Sequence, residues 1–278
     1  MPELPEVETT RRGIEPHLSG RHLKDWVIRN AALRWPVKIP QALQGQLILG
    51  VGRRAKYLLI HFDQGALIMH LGMSGSLRVL PADAPLLKHD HIDLLLDDGR
   101  VLRFNDPRRF GSIHWQPHPV MEHWLLCALG PEPLSDAFSG AYLKTTARRR
   151  KVAVKNFLMD AHVVVGVGNI YANEALFMAG IRPSLRAHTV TLASYERLAS
   201  AVQEVLQQAI TMGGTTLRDF VNQDGQPGYF KQSLYVYGRS GQLCKVCETP
   251  LKGLRIGQRA TVFCPKCQRS QGLRPYRC

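Results

Sequence analysis

Apolar side chains recur at near-helical spacing at the start of the chain, with Leu4, Val7, Ile14 and Leu18 in step, Pro5 tolerable in a first turn, and Glu3 and Glu6 where the helix dipole favours negative charge. The first twenty residues are therefore expected as one helix. From about Gly45 to Trp115 the pattern changes to short apolar runs, KYLLIHF, ALIMHL, HIDLLL and VLRF, separated by Gly, Asp and Pro. That texture predicts a multi-stranded antiparallel sandwich, with Asp97-Asp98-Gly99-Arg100 as a hairpin turn between two runs. After the Gly130-Pro131-Glu132-Pro133 break, helices are expected around Ala153 to Met159, Tyr171 to Met178 and Ser194 to Met212. In the last of these, Leu198, Val202, Val205, Leu206 and Ala209 form one face, and Gly213-Gly214 ends it. The fold class is α+β multidomain: a β-rich domain over 1–130, a helical domain over 131–225 and a small cysteine module over 226–278.

Composition adds an anionic partner to this picture. The 278 residues carry 36 Lys+Arg against 22 Asp+Glu, a formal charge of +14, and the excess is uneven. Residues 1–130 hold 16 basic and 13 acidic side chains, whereas 131–278 hold 20 and 9. No segment reaches the ~18 apolar residues of a membrane span, and MPELPEVETT is the reverse of a secretory leader, so the protein is expected in the cytoplasm without a membrane partner.

Four of the six cysteines fall in Cys244-x2-Cys247-x16-Cys264-x2-Cys267, two knuckles whose thiolates converge on one tetrahedral Zn2+. With all four positions taken by sulfur, no coordination site is left for a catalytic water, so the zinc is expected to be structural. Cys127 reads as a buried thiol and Cys278 as a stray terminal one. Lys252, Arg255, Arg259 and Lys266 give this module the character of a nucleic-acid clamp, although such modules also mediate protein contacts.

At the other end, removal of Met1 exposes the secondary amine of Pro2, which can attack an aldehyde or a sugar C1′ and form a cationic iminium. Glu3 and Glu6 supply carboxyls beside it for proton transfer. From the dipeptide alone, Pro-Glu-Leu-Pro reads better as no more than a favourable helix start. Arg148-Arg149-Arg150-Lys151 is either a solvated helix end or a phosphate contact, and Gly166-Val167-Gly168-Asn169-Ile170 is a glycine-rich turn before a helix, suited to close phosphate approach. Met73 and Phe110 read by themselves as sandwich core.

PELPEVE at the N-terminus, RRAKYLL, HLGMSGSLR, KHDH, NDPRRFG, LGPEPLS, VVGVGNIYANEALF, GGTTLRDF, DGQPGYF and QRATVFCPKCQ, in this order and with the four cysteines, resemble the bacterial formamidopyrimidine-DNA glycosylases over nearly the whole chain. The resemblance implies a base-excision repair enzyme that removes oxidised purines, chiefly 8-oxoguanine and ring-opened formamidopyrimidines, from double-stranded DNA and then nicks by β- and δ-elimination. It implies a catalytic β-sandwich domain, a helix–two-turn–helix domain and a C-terminal zinc hairpin, acting as a monomer on nucleoid DNA. By the same match Pro2 is the nucleophile, Glu3 the proton donor and shuttle near the sugar, Lys56 the proton donor of β-elimination and Arg259 that of δ-elimination. An arginine is a poor acid, so Arg259 is read first as a phosphate clamp, and Glu6 as structural or electrostatic. Met73, Arg108 and Phe110 fill the void left by an extruded nucleotide, and His89, Arg150, Lys155 and Asn169 hold phosphates. Thr215 to Tyr229 correspond to a lid over the flipped base.

Two departures from the family pattern are mild: Asn156-Phe157 stand where a Pro-aromatic pair is frequent, and Gln268 to Cys278, with Arg269, Arg274 and Arg277, extend past the last cysteine. An endonuclease VIII-type enzyme acting on oxidised pyrimidines is opposed by Leu4 and by Pro107-Arg108-Arg109-Phe110. A noncatalytic zinc-dependent DNA-binding protein would share the charge and the cysteines but have no use for Pro2 and Glu3.

Overall fold

A computed structural model describes residues 2–214 and 234–269. The expected lid, the boundary at 225 and the tail beyond Arg269 lie outside the described residues. The chain divides into two compact units, Met1–Cys127 with Met212–Lys231, and Ala128–Thr211 with Gln232–Cys278.

In the first unit, helix α1 (Leu4–Leu18) precedes eight strands: β1 (Leu23–Ile28), β2 (Gly50–Arg54), β3 (Tyr57–Phe62), β4 (Gly65–His70), β5 (Ser76–Pro81), β6 (Asp90–Leu96), β7 (Arg100–Asn105) and β8 (Ser112–Pro117). They form two antiparallel four-stranded sheets, in the orders β1-β6-β7-β5 and β2-β3-β4-β8. Strands β3, β4, β6 and β7 are those the four apolar runs predict, β2, β5 and β8 fall in the expected sandwich region without a run of their own, and Gly99 takes positive φ in the expected β6–β7 turn. Strand β1 was not foreseen, because as an edge strand it buries only Leu23 fully and its sequence shows no apolar alternation. Val7, Ile14 and Leu18 of α1 join Leu58, Ile60, Leu67, Leu94 and Phe104 in one apolar core, which removes the inner sheet faces from water.

In the second unit, α2 (Gly140–Ala147), α3 (Val154–Leu158), α4 (Asn169–Met178) and α5 (Leu192–Thr211) precede a hairpin of β9 (Lys252–Ile256) and β10 (Arg259–Phe263). Helix α5 buries Tyr195, Leu198, Val202, Val205, Leu206 and Ala209, the predicted stripe with one aromatic added. Helix α2 escaped sequence reading because it is short; it is started by Ser139, whose hydroxyl accepts the Tyr142 N–H at 3.2 Å.

Candidate active site, nucleic-acid interface and metal centre

Pro2 and Glu3 sit buried at the N-terminal end of α1. Glu6, at the third helical position, turns back so that its Oε2 accepts the Glu3 N–H at 2.8 Å, which gives Glu6 the structural role expected of it. Two residues on, Glu8 accepts from Arg11, Arg12 and Arg53. Burial pushes the Glu8 carboxyl up, but hydrogen bonds from these three guanidiniums outweigh it and hold the pKa at about 2. The Arg53 guanidinium also donates to the Ala55 carbonyl at 2.9 Å. Glu8 and Arg53 thereby tie α1 to the two-residue turn between β2 and β3, where Ala55 has positive φ and half-buried Lys56 follows.

His70 ends β4 and packs beside Tyr57, ring centroids 5.0 Å apart. Burial, and then the nearby charges of Lys56 and Arg34, push its pKa down to about 4, so its imidazole is neutral at pH 7 and its Nδ1 accepts the Gly72 N–H at 3.0 Å. Beyond His70 opens a cleft of about 750 Å³, lined by Arg34, His70, Met73, Arg108 and Phe110 among others. Its walls come from three segments, around Arg34, Met73 and Arg108, and the last two cross main chain to main chain. Gly72 has φ +66°, and a Cβ there would stand 2.5 Å from the Gly111 nitrogen, so only glycine allows the crossing. Phe110 is 44% exposed with the Arg108 guanidinium 5.2 Å from its ring centre, and Met73 is half-buried; neither belongs to the sandwich core that sequence pattern alone assigns them. His89 is half-buried, with φ +76°, in the segment leading into β6.

In the second unit the basic run Arg148 to Lys151 is exposed after α2, with Arg150 3.4 Å from Asp160. Arg259 is exposed beside the tip of the β9–β10 hairpin, in a two-residue turn of Gly257 and Gln258 with both φ positive. A Cβ at Gly257 would meet the Asn156 side chain at 2.7 Å, so the departure at Asn156 is packed beneath this tip. Asn169, the first residue of α4, donates to the Ala260 carbonyl at 3.1 Å.

Lys155 corrects an expectation. It is fully buried, and its ammonium donates to the Ala260 carbonyl at 2.9 Å and the Thr261 hydroxyl at 2.7 Å, so it supports the strand that carries Arg259 and does not face a phosphate itself. Cys127 is a second correction: it is exposed, because it lies in the turns that follow β8 and not within either sheet, and Cys278 lies outside the described residues.

Two residues that sequence reading passed over attach the hairpin and the segment before the first knuckle to α4. Asn173 accepts the Val262 N–H at 3.0 Å, and the buried Glu174 carboxyl takes the N–H groups of Tyr235, Val236 and Tyr237 at 2.7 to 3.0 Å. Both stand on α4 inside the quoted motif VVGVGNIYANEALF, but their partners are 61 to 89 residues away.

Cys244, Cys247, Cys264 and Cys267 bring their sulfurs within 4.8 Å of one another. The 3.8 Å from Cys244 to Cys267 and 3.4 Å from Cys247 to Cys264 match the ~3.8 Å edge of a tetrahedron with metal–sulfur bonds of ~2.3 Å. Burial raises the Cys247 thiol, yet hydrogen bonds with Thr249 and the neighbouring sulfurs bring it to about 6, a thiolate ready for a cation. The donor set fits one structural zinc, and the knuckles pack with Phe177, Val236, Leu251 and Val262.

Three family models match in chain order: the formamidopyrimidine-DNA glycosylase N-terminal domain over residues 1–113, the formamidopyrimidine-DNA glycosylase H2TH domain over 129–221, and the zinc finger found in FPG and IleRS over 241–269. The formamidopyrimidine-DNA glycosylase of Alcanivorax borkumensis is 61% identical over 270 residues, covering 97% of this chain and all of that protein. That of Hahella chejuensis is 58% identical over 97% of this chain and all of its own. Among solved structures, MutM (Fpg) from Thermus thermophilus matches with a TM-score of 0.87 at 39% identity, over 98% of this chain and 100% of that one. The Lactococcus lactis Fpg in complex with abasic-site DNA matches with a TM-score of 0.89 at 32% identity, over 96% and 99%.

Proposed function

The chain belongs to the formamidopyrimidine-DNA glycosylase family, and from that premise we propose how its residues excise an oxidised purine from duplex DNA and nick the abasic strand. It is a DNA glycosylase and AP lyase of base excision repair with one structural zinc. With Met1 removed, the Pro2 nitrogen attacks C1′ as the glycosidic bond breaks and its electrons leave with the base. Glu3 protonates the sugar ring oxygen as the ring opens to the iminium. The iminium acidifies C2′; loss of that proton expels the 3′ phosphate, and a second elimination expels the 5′ phosphate, leaving phosphates at both gap ends. Lys56 serves the first elimination, and Arg259 clamps the phosphate on the 3′ side during the second.

Met73 and Phe110 enter the stack as apolar wedges while Arg108 hydrogen-bonds the orphaned cytosine. His89, Arg150 and Asn169 hold phosphates, with Lys155 acting through the hairpin it supports. Residues 1–130 form the catalytic domain, 131–225 the helix–two-turn–helix domain and 226–278 the zinc module. One copy acts on each lesion, in the bacterial cytoplasm on nucleoid DNA. No helix among the described residues is long and apolar enough to cross a membrane.

The observation that supports this reading best is the buried Pro2-Glu3 pair at the end of a helix tied through Glu8 and Arg53 to the turn that carries Lys56. Its test is borohydride trapping on a duplex holding a single 8-oxoguanine opposite cytosine. Protein lacking Met1 is expected to form a covalent adduct and leave phosphates at both gap ends, and Pro2→Gly to be impaired in both. Protein that cleaves this duplex, carries no Met1 by mass spectrometry and yields no adduct rules the Schiff base out. Preference for an oxidised pyrimidine in the same duplex would instead favour the endonuclease VIII-type reading.

A further inference from the structure

Asp106 follows β7 immediately and is fully buried. One carboxyl oxygen, Oδ1, accepts the Ser74 hydroxyl at 2.9 Å and the Arg108 N–H at 3.3 Å, and the other, Oδ2, accepts the Gly111 N–H at 2.7 Å. Its main chain is engaged as well: the Asp106 N–H donates to the His89 carbonyl at 3.1 Å, and the Asp106 carbonyl lies 2.9 Å from His91 Nε2. One residue thus meets three segments, the turn that carries Met73, the loop that carries Arg108 and Phe110, and the segment that carries His89.

We propose that Asp106 is the positioning residue that holds these three DNA-facing segments in register, so that the void fillers and the His89 phosphate contact meet the duplex together. The proposal rests on the roles assigned to Met73, Arg108, Phe110 and His89 above. The other bonds of these loops run from the Gly72 N–H to His70 Nδ1, from the Gly75 N–H to the Leu71 carbonyl and from the Arg34 N–H to the Gly111 carbonyl, and none of these joins the Met73 turn to the Arg108 loop. Four of the five residues from Pro107 to Gly111 are exposed, and the crossing at Gly72 and Gly111 brings two backbones together with no side chain between them. Buried amide and hydroxyl donors need acceptors, and a single carboxyl that serves three of them from two loops makes the position of each loop depend on the other.

The test compares two activities of the same protein. Excision of 8-oxoguanine from a duplex needs the nucleotide extruded and its void filled, whereas Schiff-base trapping on a single-stranded abasic oligonucleotide needs Pro2 and Glu3 but no wedge. Asp106→Asn keeps the size and one acceptor, but whichever way the amide turns, its NH2 faces either the Arg108 or the Gly111 N–H. The expected result is a fall of about tenfold or more in the ratio of duplex excision to single-strand trapping, in line with the ~100-fold effects of ångström-scale misplacement. A weaker rise in fluorescence of 2-aminopurine placed beside the lesion should accompany it. An unchanged ratio overturns the proposal.

Should Asp106→Asn not fold, Ser74→Ala decides, since it removes one bond and no charge; a selective fall in the ratio supports the coupling and an unchanged one refutes it. Arg108→Ala separates the proposal from the reading beneath it. If Arg108→Ala leaves the ratio untouched, the void-filling assignment itself is wrong; if it lowers the ratio while both other variants do not, only the role of Asp106 is.

Discussion

Lys155 donates to the Thr261 hydroxyl at 2.7 Å in a pair that does not reach the surface, both side chains being buried. A lysine in that position acts on DNA through the hairpin it braces, and this separates it from Arg150, which is exposed. Each phosphate contact contributes about 0.9 to the slope of log affinity against log salt concentration. Arg150→Ala is therefore expected to lower that slope by about one, whereas Lys155→Met weakens binding and leaves the slope in place. Lys155→Met should also cost about 1–3 kcal/mol of stability by orphaning buried acceptors. A slope that falls by about one in Lys155→Met would mean that the lysine reaches a phosphate after all.

The features legible in the sequence are those whose signal is local. Helix α5 shows its stripe within twenty residues, strands β3, β4, β6 and β7 show as apolar runs, and the zinc knuckles show as spacing. What escaped depends on distant partners or weak patterning. Strand β1 is mostly exposed, and α2 has only eight residues. Lys155 sits four residues beyond a run of exposed cations and reads as one of them, because its acceptors come from residues 260 and 261. Asp106 and Glu174 are the same case with the sign reversed: acidic residues that look solvated until the main-chain donors around them are known.

Glu8 sets an acid limit on the first unit. Its pKa of about 2 lies below the ordinary ~4.3 of an unfolded chain, so its contribution is complete above ~4.3 and disappears as pH falls toward 2. Glu8→Gln is expected to lose about 1–2 kcal/mol at pH 7, after allowance for solvent screening of the exposed Arg12 partner. Denaturant unfolding from pH 7 to pH 2.5 should show the gap between wild type and variant constant down to about pH 5 and closing below it. A gap independent of pH would mean that packing, and not ionisation, is what Glu8 supplies.

His70 acts in the same direction as Glu8, because folding opposes its protonation as well. Its pKa near 4 lies below the usual ~6.5, so its effect on stability is complete above ~6.5 and is lost as pH falls from there to 4. Nitrogen chemical shifts of the labelled protein are expected to show a neutral ring at pH 6 with the proton on Nε2, because Nδ1 accepts the Gly72 N–H. A ring more than half protonated at pH 6 would contradict the buried, cation-flanked setting.

Zinc removal should act on the hairpin before it acts on the chemistry. Cys244, Cys264 and Cys267 belong to a small apolar cluster with Phe177, Val236, Leu251 and Val262, Cys247 packs against it, and the hairpin between the knuckles carries Arg259. Without the cation nothing ties the two knuckles together, and the strand loses the geometry that Lys155, Asn169 and Asn173 grip. Cys264→Ser, or treatment with a strong chelator, is expected to remove the single zinc and weaken duplex binding at least about tenfold, a loss of ~1.4 kcal/mol. Trapping of Pro2 on a saturating single-stranded abasic oligonucleotide should survive, since Pro2, Glu3 and Lys56 all belong to the first unit. Elemental analysis and trapping on one preparation check both halves. Zinc retained in Cys264→Ser, or full duplex affinity in metal-free protein, would remove the structural role from the four cysteines.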